Sequence, residues 1–464
     1  MSQPVAIFES RASSPRPAEV TTRLAQYAAS LEFDALPSDV VTVATHCLLD
    51  WAGVTLAGAA EPAVRHLRDE VEAAGGNQQA TLIGHGLRTS IVQAALVNGT
   101  AGHALDYDDV NFAMPGHPTA PIAPALLALA ELRKCGGQQL ITAFVAGVET
   151  ECRIGRFMTD EHYRAGWHAT GTVGTLGAAA ACARLLGLDA EQTERALGIA
   201  ATQAAGLKSM FGTMCKPLHA GKAAANGLQA ALLATRGFDA AGEVLERPQG
   251  FGETQTPSRD PQAALAGLGE RFHTTDTLFK YHAACYGTHA SIEAAKRLRQ
   301  RLSLQVDAVE RIEVRVPQDA LRMCNIERPS TELEAKFSLM LTTAMGLAGA
   351  DTGAIESYTS SICKRPDLVN LRDRTTVMGD AGFAHATSRV TVTLRDGSTH
   401  TEQHDASRPA TDLEDQGKRL LAKFHGLADP RIGGAAAREV GESLAEAPTL
   451  ESISPVIRRL APQV

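Results

Sequence analysis

The chain has 464 residues, with 44 Lys+Arg against 52 Asp+Glu and a formal net charge of −8. A mildly acidic chain without a basic run argues against a nucleic-acid binder, and 44% hydrophobic with 21% charged content excludes a disordered one. Aromatics are only 5% while glycines number 41, so the core must be built from Ala and Leu, which suits closely packed helices.

Residues 1–17 are polar and Pro-containing; they read as a loose arm without the apolar segment of a signal peptide. From about Ala18 the pattern turns helical. Leu36-Pro37-Ser38-Asp39 is a helix start, and Val41 to Leu56 continues with apolar residues three and four apart. Gly, His or charge interrupts every apolar run before about 18 residues, so no membrane span is expected. Ser90 to Ala104 is a helix that stops at Asp106-Tyr107-Asp108-Asp109 and runs into Pro115-Gly116-His117-Pro118. Helices then span Pro121 to Cys135, closed by Gly136-Gly137, and Leu140 to Phe157. Gly171 to Leu186 follows, then Ala190 to Lys208 and Ala220 to Arg236. Gly171, Gly174 and Gly177 lack a preceding strand and a following Lys-Ser/Thr, so they read as a face for close helix packing and not as a phosphate loop.

After about residue 270 the pattern changes. Gly287 to Leu302 and Glu334 to Leu347 read as helices. Val309 to Val316 alternates as a strand, and Ser388 to Leu394 returns through Asp396-Gly397 as a hairpin to Thr399–Gln403. Asp412 to Leu460 is helical again. The fold class is therefore mainly α with a smaller α+β domain. A helical domain over 18–272 precedes a sheet-and-helix domain over 273–405, and helices over 406–464 pack back on the first.

Eight cysteines, at 47, 135, 152, 182, 215, 285, 324 and 363, form no C-x-x-C pair, so reduced thiols in a cytoplasmic protein and no structural zinc are expected. Three segments concentrate ionisable residues beside Gly and Pro. His103, Asp106, Asp108 and Asp109 with His117 offer an acid/base pair, or equally a capped, solvated turn. His168 precedes the Gly-rich helix, whose free N–H groups would favour an anion. Lys208, Lys216, His219 and Lys222 make a basic stretch around Pro217 and Gly221 that suits a polycarboxylate or phosphate, or a plain basic loop. Lys280, His282, Cys285 and His289 invite a metal reading but lack a fourth ligand; Lys280 and Cys285 read better as substrate contacts.

These segments together resemble the MmgE/PrpD family of 2-methylcitrate dehydratases, cis-aconitate decarboxylases and iminodisuccinate epimerases. The marks are Cys47-Leu-Leu-Asp50-Trp-Ala-Gly53, Asn98-Gly99 with His103-Ala-Leu-Asp106, Gly116-His117-Pro118, Gly166-Trp167-His168, Lys216-Pro-Leu-His219, Lys280-Tyr281 and Glu334-Ala-Lys336-Phe-Ser338. The resemblance implies a cofactor-free, metal-free site between two domains, a homodimer, and a small di- or tricarboxylate as the partner, with neither nucleic acid nor membrane. By motif position it implies that Asp106, His117, His168, Lys216, Lys280 and Cys285 fall in the site; the expected roles are catalysis for Asp106, His117, His168 and Lys216, and substrate contact for His103, His219, Lys280 and Cys285. Val110 stands where the dehydratase branch carries a threonine, and Cys285 where the decarboxylase branch carries a histidine. The Asp-Tyr-Asp-Asp form is closest to the epimerase branch. The leading expectation is a lyase dehydrating a 2-methylcitrate-like acid. The alternatives are epimerisation of an iminodisuccinate-like acid, cis-aconitate-type decarboxylation, and an anion-binding helical scaffold.

Overall fold

The computed structural model describes residues 19–462; the arm expected over 1–17 lies outside them. The helical part contains α1 (Val20–Ser30), α2 (Ser38–Gly58), α3 (Pro62–Ala74), a two-residue hairpin β1 (Ala80–Thr81) and β2 (Arg88–Thr89), and α4 (Ile91–Ala104). It continues with α5 (Thr119–Arg133), α6 (Gly137–Arg164), α7 (Ala169–Leu186), α8 (Ala190–Ala201), α9 (Cys215–Ala234) and the short α10 (Phe251–Gln255) and α11 (Pro261–Leu265). The α+β part holds α12 (Tyr286–Leu302), β3 (Val309–Pro317), α13 (Ala320–Met323), α14 (Glu332–Lys336), α15 (Leu339–Ala348), α16 (Pro366–Asp373), β4 (Thr375–Asp380), β5 (Thr387–Leu394) and β6 (Thr399–Asp405). Helices α17 (Leu413–Ile432), α18 (Gly434–Ala445) and α19 (Ser454–Arg459) end the chain, and α17 lies along α2.

Small residues let the helices approach closely. A Cβ on Gly177 would sit 2.5 Å from Glu151 Oε2, and one on Gly174 would sit 2.6 Å from Pro121 Cγ, which is the packing role the glycine spacing suggests. Helices α4 and α9 touch at Gly221, where a Cβ would stand 2.2 Å from the Leu96 carbonyl. The sheet has the order β4-β3-β5-β6, with β3 parallel to β4 and antiparallel to β5. Ile312, Val314 and Val316 are fully buried, as their alternation requires. Gly397 takes φ +85° in the β5–β6 turn.

Several boundaries differ from the periodicity. Helix α8 stops at Ala201 instead of Lys208, because Gly206 at φ +154° belongs to an extended turn that bridges Leu207 to Trp167. Helix α9 starts at Cys215, five residues before Ala220; Pro217 falls within the first turn, where a missing N–H costs nothing. The helix expected over 334–347 is broken at Phe337, where Ser338 caps α15 through the Leu341 N–H. Strand β4 was not foreseen. Its burial does not alternate, and its register comes from pairing with β3.

Helix α2 is, among the described residues, the one helix long and apolar enough to cross a membrane, and 83% of its most apolar window is buried inside the bundle. Its polar residues are accommodated within the packing: His46 meets Gln416 at 3.1 Å, and Asp50 pairs with Lys423. Tyr107 leaves the helical part and inserts into the core of the α+β part, where its hydroxyl donates to the Gly353 carbonyl at 3.0 Å. The acidic segment is thus tied to both parts.

Candidate active site

Helix ends supply most of the candidate site. His117 lies two residues before α5, His168 is the N-cap of α7, Lys216 lies in the first turn of α9, and Cys285 is the N-cap of α12. The positive ends of these helices and their free N–H groups favour an anion before any side chain is counted. His103 comes from the opposite polarity, at the last turn of α4.

Asp106 follows α4 in the left-handed region, at φ 51°. That is an uncommon conformation for a non-glycine residue, held here by the surroundings. Antiparallel hydrogen bonds between Val110 and Leu278, both 2.9 Å, lay the 278–280 segment beside it. Lys280 Nζ consequently stands 2.9 Å from Asp106 Oδ1 and also donates to the Asp106 carbonyl. Lys216 Nζ reaches the same Oδ1 at 2.9 Å from α9, and His117 Nε2 is 3.5 Å away. The Asp106 side chain is 41% exposed while Lys280 is 2% exposed, so the cluster opens to solvent at the carboxylate. Burial alone would raise the Asp106 pKa; Lys216, Lys280 and His117 outweigh it and hold the carboxyl well below its ordinary range.

Behind it, Asp108 joins two imidazoles. Its Oδ2 is 2.8 Å from His103 Nδ1 and 3.3 Å from His117 Nδ1. Burial would raise the Asp108 pKa, but the two rings hold the carboxylate ionised. The rings of His103 and His117 meet edge-on at 4.5 Å, and His103 stacks on His168 at 5.6 Å. His168 Nδ1 lies 3.1 Å from His219 Nδ1, so one ring donates and the other accepts. Gly206 passes across this pair; a Cβ there would press both rings at 3.3–3.4 Å. Phe211 closes the outside, edge-on to His168 at 4.9 Å. Burial pushes His103 down to about 4, and it lowers His168 and His219 as well, with Lys216 adding to each shift.

Seven of the eight expected residues, Asp106, His117, His168, Lys216, His103, His219 and Lys280, form one connected cluster. His103 does so from full burial, between His117 and His168, which makes it a support for the other rings. Cys285 lies at the edge, in the field of Asp106 and Lys280, and Cys324 is the neighbour that most lowers its pKa. The basic run divides. Lys208 turns away to the Tyr163 carbonyl at 3.0 Å and sits over the Tyr163 ring, and Lys222 is exposed on α9. His282 and His289 belong to a network with Glu293 and Thr352.

Asp108, expected only as one of the acidic run, is the bridging carboxylate. Further contributors were not among the expected site residues. Gly206 shapes the histidine pair. The buried pair Asp50–Lys423, at 2.7 Å, holds the acidic segment, since Lys423 also donates to the Tyr107 carbonyl at 2.8 Å. Lys336 is half-buried in the field of Asp106 and, among the described residues, has no carboxylate within ion-pair distance; burial lowers its pKa. The sequence signal for Asp50 and Lys336 lay in the quoted family segments; Lys423 gave none.

His103, Asp106, Asp108 and His117, grouped in the sequence reading as acid/base residues and not as metal ligands, also bring four donor atoms within 4.8 Å of one another. Two ammonium groups already hold Asp106 Oδ1, so a divalent cation would enter against both. The charge arrangement suits a polyanion better.

The chain belongs to the MmgE/PrpD family: the N-terminal domain model of that family matches residues 22–264 and the C-terminal domain model matches residues 282–446. It is therefore a member of a family of enzymes, with the mainly helical architecture that membership carries. Among curated relatives, it is 28% identical over 472 residues to a cis-aconitate decarboxylase of Aspergillus terreus, covering 95% of this chain and 96% of the relative. The cis-aconitate decarboxylase of Mus musculus is 28% identical over 83% of this chain and 82% of its own length. That of Homo sapiens is 32% identical over 69% of each.

Proposed function

We propose that this protein is a cofactor-independent lyase that decarboxylates a tricarboxylate of the cis-aconitate type. The observation that carries the reading is the convergence of Lys216 and Lys280 on a single oxygen of Asp106, with Lys336 unpaired nearby. Substrate carboxylates would replace Asp106 as partners of these ammonium groups. The similarity to decarboxylases over nearly the whole chain supports decarboxylation over the dehydration that led the sequence reading. The apolar Val110, at the position of the dehydratase threonine, supports the same choice.

Loss of carbon dioxide leaves an electron pair on carbon, conjugated to the remaining unsaturated carboxylate. The lysines stabilise that charge as it develops. A single proton must then be delivered to carbon. His168, backed by His219, and His117, fixed by Asp108, are the candidate donors. Burial lowers the pKa of His168 and His219, but an arriving polyanion favours imidazolium. Binding would therefore help load the acid.

The test is incubation with cis-aconitate and with citrate-like and aspartate-derived acids in deuterated water, followed by NMR. Carbon dioxide release with one deuterium placed on the product is expected for cis-aconitate. Loss of water from a citrate-like acid would replace this reading by dehydration, and α-proton exchange alone would replace it by epimerisation. No change with any of the acids would remove the lyase reading.

A further inference from the structure

Cys285 and Cys324 come from segments forty residues apart, yet their main chains are fastened to the same short stretch. The Cys285 N–H donates to the Lys336 carbonyl at 3.0 Å, and the Leu339 N–H donates to the Cys324 carbonyl at 2.9 Å. Asn325 and Ser338 form an isolated antiparallel bridge alongside. Both sulfurs lie over Gly287: the position a Cβ would occupy there is 2.8 Å from Cys324 Sγ and 3.9 Å from Cys285 Sγ. Both cysteines are buried, and Cys285, at 8% exposure, is the one beside the cluster. The Cys285 thiol is held below the ordinary cysteine value by Cys324, Gly287 and Lys280 around it, and α12, of which Cys285 is the N-cap, is a 17-residue helix; the Cys324 thiol itself donates to the Ala320 carbonyl at 3.5 Å.

We propose that Cys285 and Cys324 form an oxidation site, at which a peroxide-class oxidant closes the two thiols into a disulfide and stops turnover until a thiol reductant reopens it. The Cys285 thiolate attacks one peroxide oxygen; the O–O bond breaks, hydroxide leaves and is protonated to water, and the sulfur is oxidised to a sulfenic acid. Cys324 sulfur then attacks that sulfur. The S–S bond forms, the S–O bond breaks, and a second water departs with the Cys324 proton. In sum, two thiols lose two hydrogens to one peroxide and give one disulfide and two waters. The crosslink fixes the N-terminus of α12, and with it the 280–285 segment carrying Lys280, to the end of α13. It also removes the thiol that faces the site. The effect on turnover rests on the cluster being the active site; the crosslink itself does not.

The experiment treats the full-length protein with hydrogen peroxide, in a Cys215→Ser background because Cys215 is exposed and would react independently. Peptide mapping should show a Cys285–Cys324 linked pair and an intact mass lower by two hydrogens. Turnover of cis-aconitate, or of whichever acid proves active, should be largely lost and largely restored by dithiothreitol. In Cys324→Ala, and in Cys324→Ser if the first folds poorly, the linked pair should be absent, and excess peroxide should carry the unresolved Cys285 sulfenic acid on to the sulfinic acid, which dithiothreitol does not reverse. Loss of turnover without the linked pair, or a Cys324 variant no more prone to Cys285 sulfinic acid formation than the parent, would overturn the proposal. So would a linked pair with unchanged turnover. If no acid is turned over at all, the peptide map still decides whether the crosslink forms, so failure of the lyase reading and failure of this site are separable.

Discussion

Lys423 Nζ lies 2.7 Å from Asp50 Oδ1, with the lysine side chain 6% and the aspartate 1% exposed, and the same ammonium donates to the Tyr107 carbonyl. A salt bridge between α17 and α2 thus holds the backbone between Asp106 and Asp108. Burial lowers the lysine pKa and raises that of the aspartate, and each opposes the shift of the other. Breaking such a pair from one side strands a buried charge, at about 3–5 kcal/mol. Lys423→Met should therefore lose stability in that range by denaturant titration. The double variant with Asp50→Asn should lose clearly less than the sum of the singles. Strict additivity would mean that the two residues do not act as a pair.

Asp108 is expected to matter through His117 rather than through substrate. Asp108→Asn removes the carboxylate that orients His117 and His103 while keeping the size of the side chain. The turnover number should fall within the roughly 10²–10⁴-fold span of a positioned acid or base, with KM changed far less. A rise in KM at constant kcat would assign Asp108 to binding.

The basic stretch offers an internal control. Lys216 is in the cluster and Lys222, six residues on, is exposed on the same helix. Lys216→Ala should raise KM or lower kcat and should reduce the thermal stabilisation produced by cis-aconitate. Lys222→Ala should leave both as they are. Equal effects of the two substitutions would indicate a diffuse field and not a defined anion contact.

Asp109 gives a pH prediction of fixed sign. Burial raises its carboxyl to about 7, against opposing hydrogen bonds from Thr119. The folded state then holds a proton that the unfolded state has released, across the interval from the ordinary carboxyl value of 3.8 up to about 7. This contribution to stability is complete below the lower value and is lost as pH rises through the upper. Relative to the parent, Asp109→Asn should therefore gain stability between pH 5 and pH 8 in thermal melts. A difference that does not change with pH would show that Asp109 does not titrate in this interval.

Gly221 tests the packing that places Lys216. A methyl group there would meet the Leu96 carbonyl at 2.2 Å and Thr100 Oγ1 at 2.3 Å, forcing α9 away from α4. Gly221→Ala should cost roughly 1–3 kcal/mol and should impair turnover, because Lys216 and His219 move with the helix. A stable, fully active variant would show that α9 tolerates the displacement.

The sequence by itself determined the helical and sheet segments whose periodicity is strong, from α2 to the β5–β6 hairpin. Burying one face of a helix or strand writes itself into residue spacing, and a turn such as Asp396-Gly397 needs a positive φ. It also marked most of the site, because Asp106, His117, His168 and Lys216 stand where helices begin or end beside Gly and Pro. Only the tertiary structure decided how these groups meet. Lys280 reaches Asp106 through the pairing of Val110 with Leu278, His168 shares a proton with His219 across Gly206, and Lys423 arrives from a helix more than three hundred residues after Tyr107. Strand β4 likewise takes its place from its partner β3. Local propensity is carried by neighbouring residues, whereas these contacts join parts of the chain that no local pattern relates. Their geometry is set by the packing of whole helices against one another.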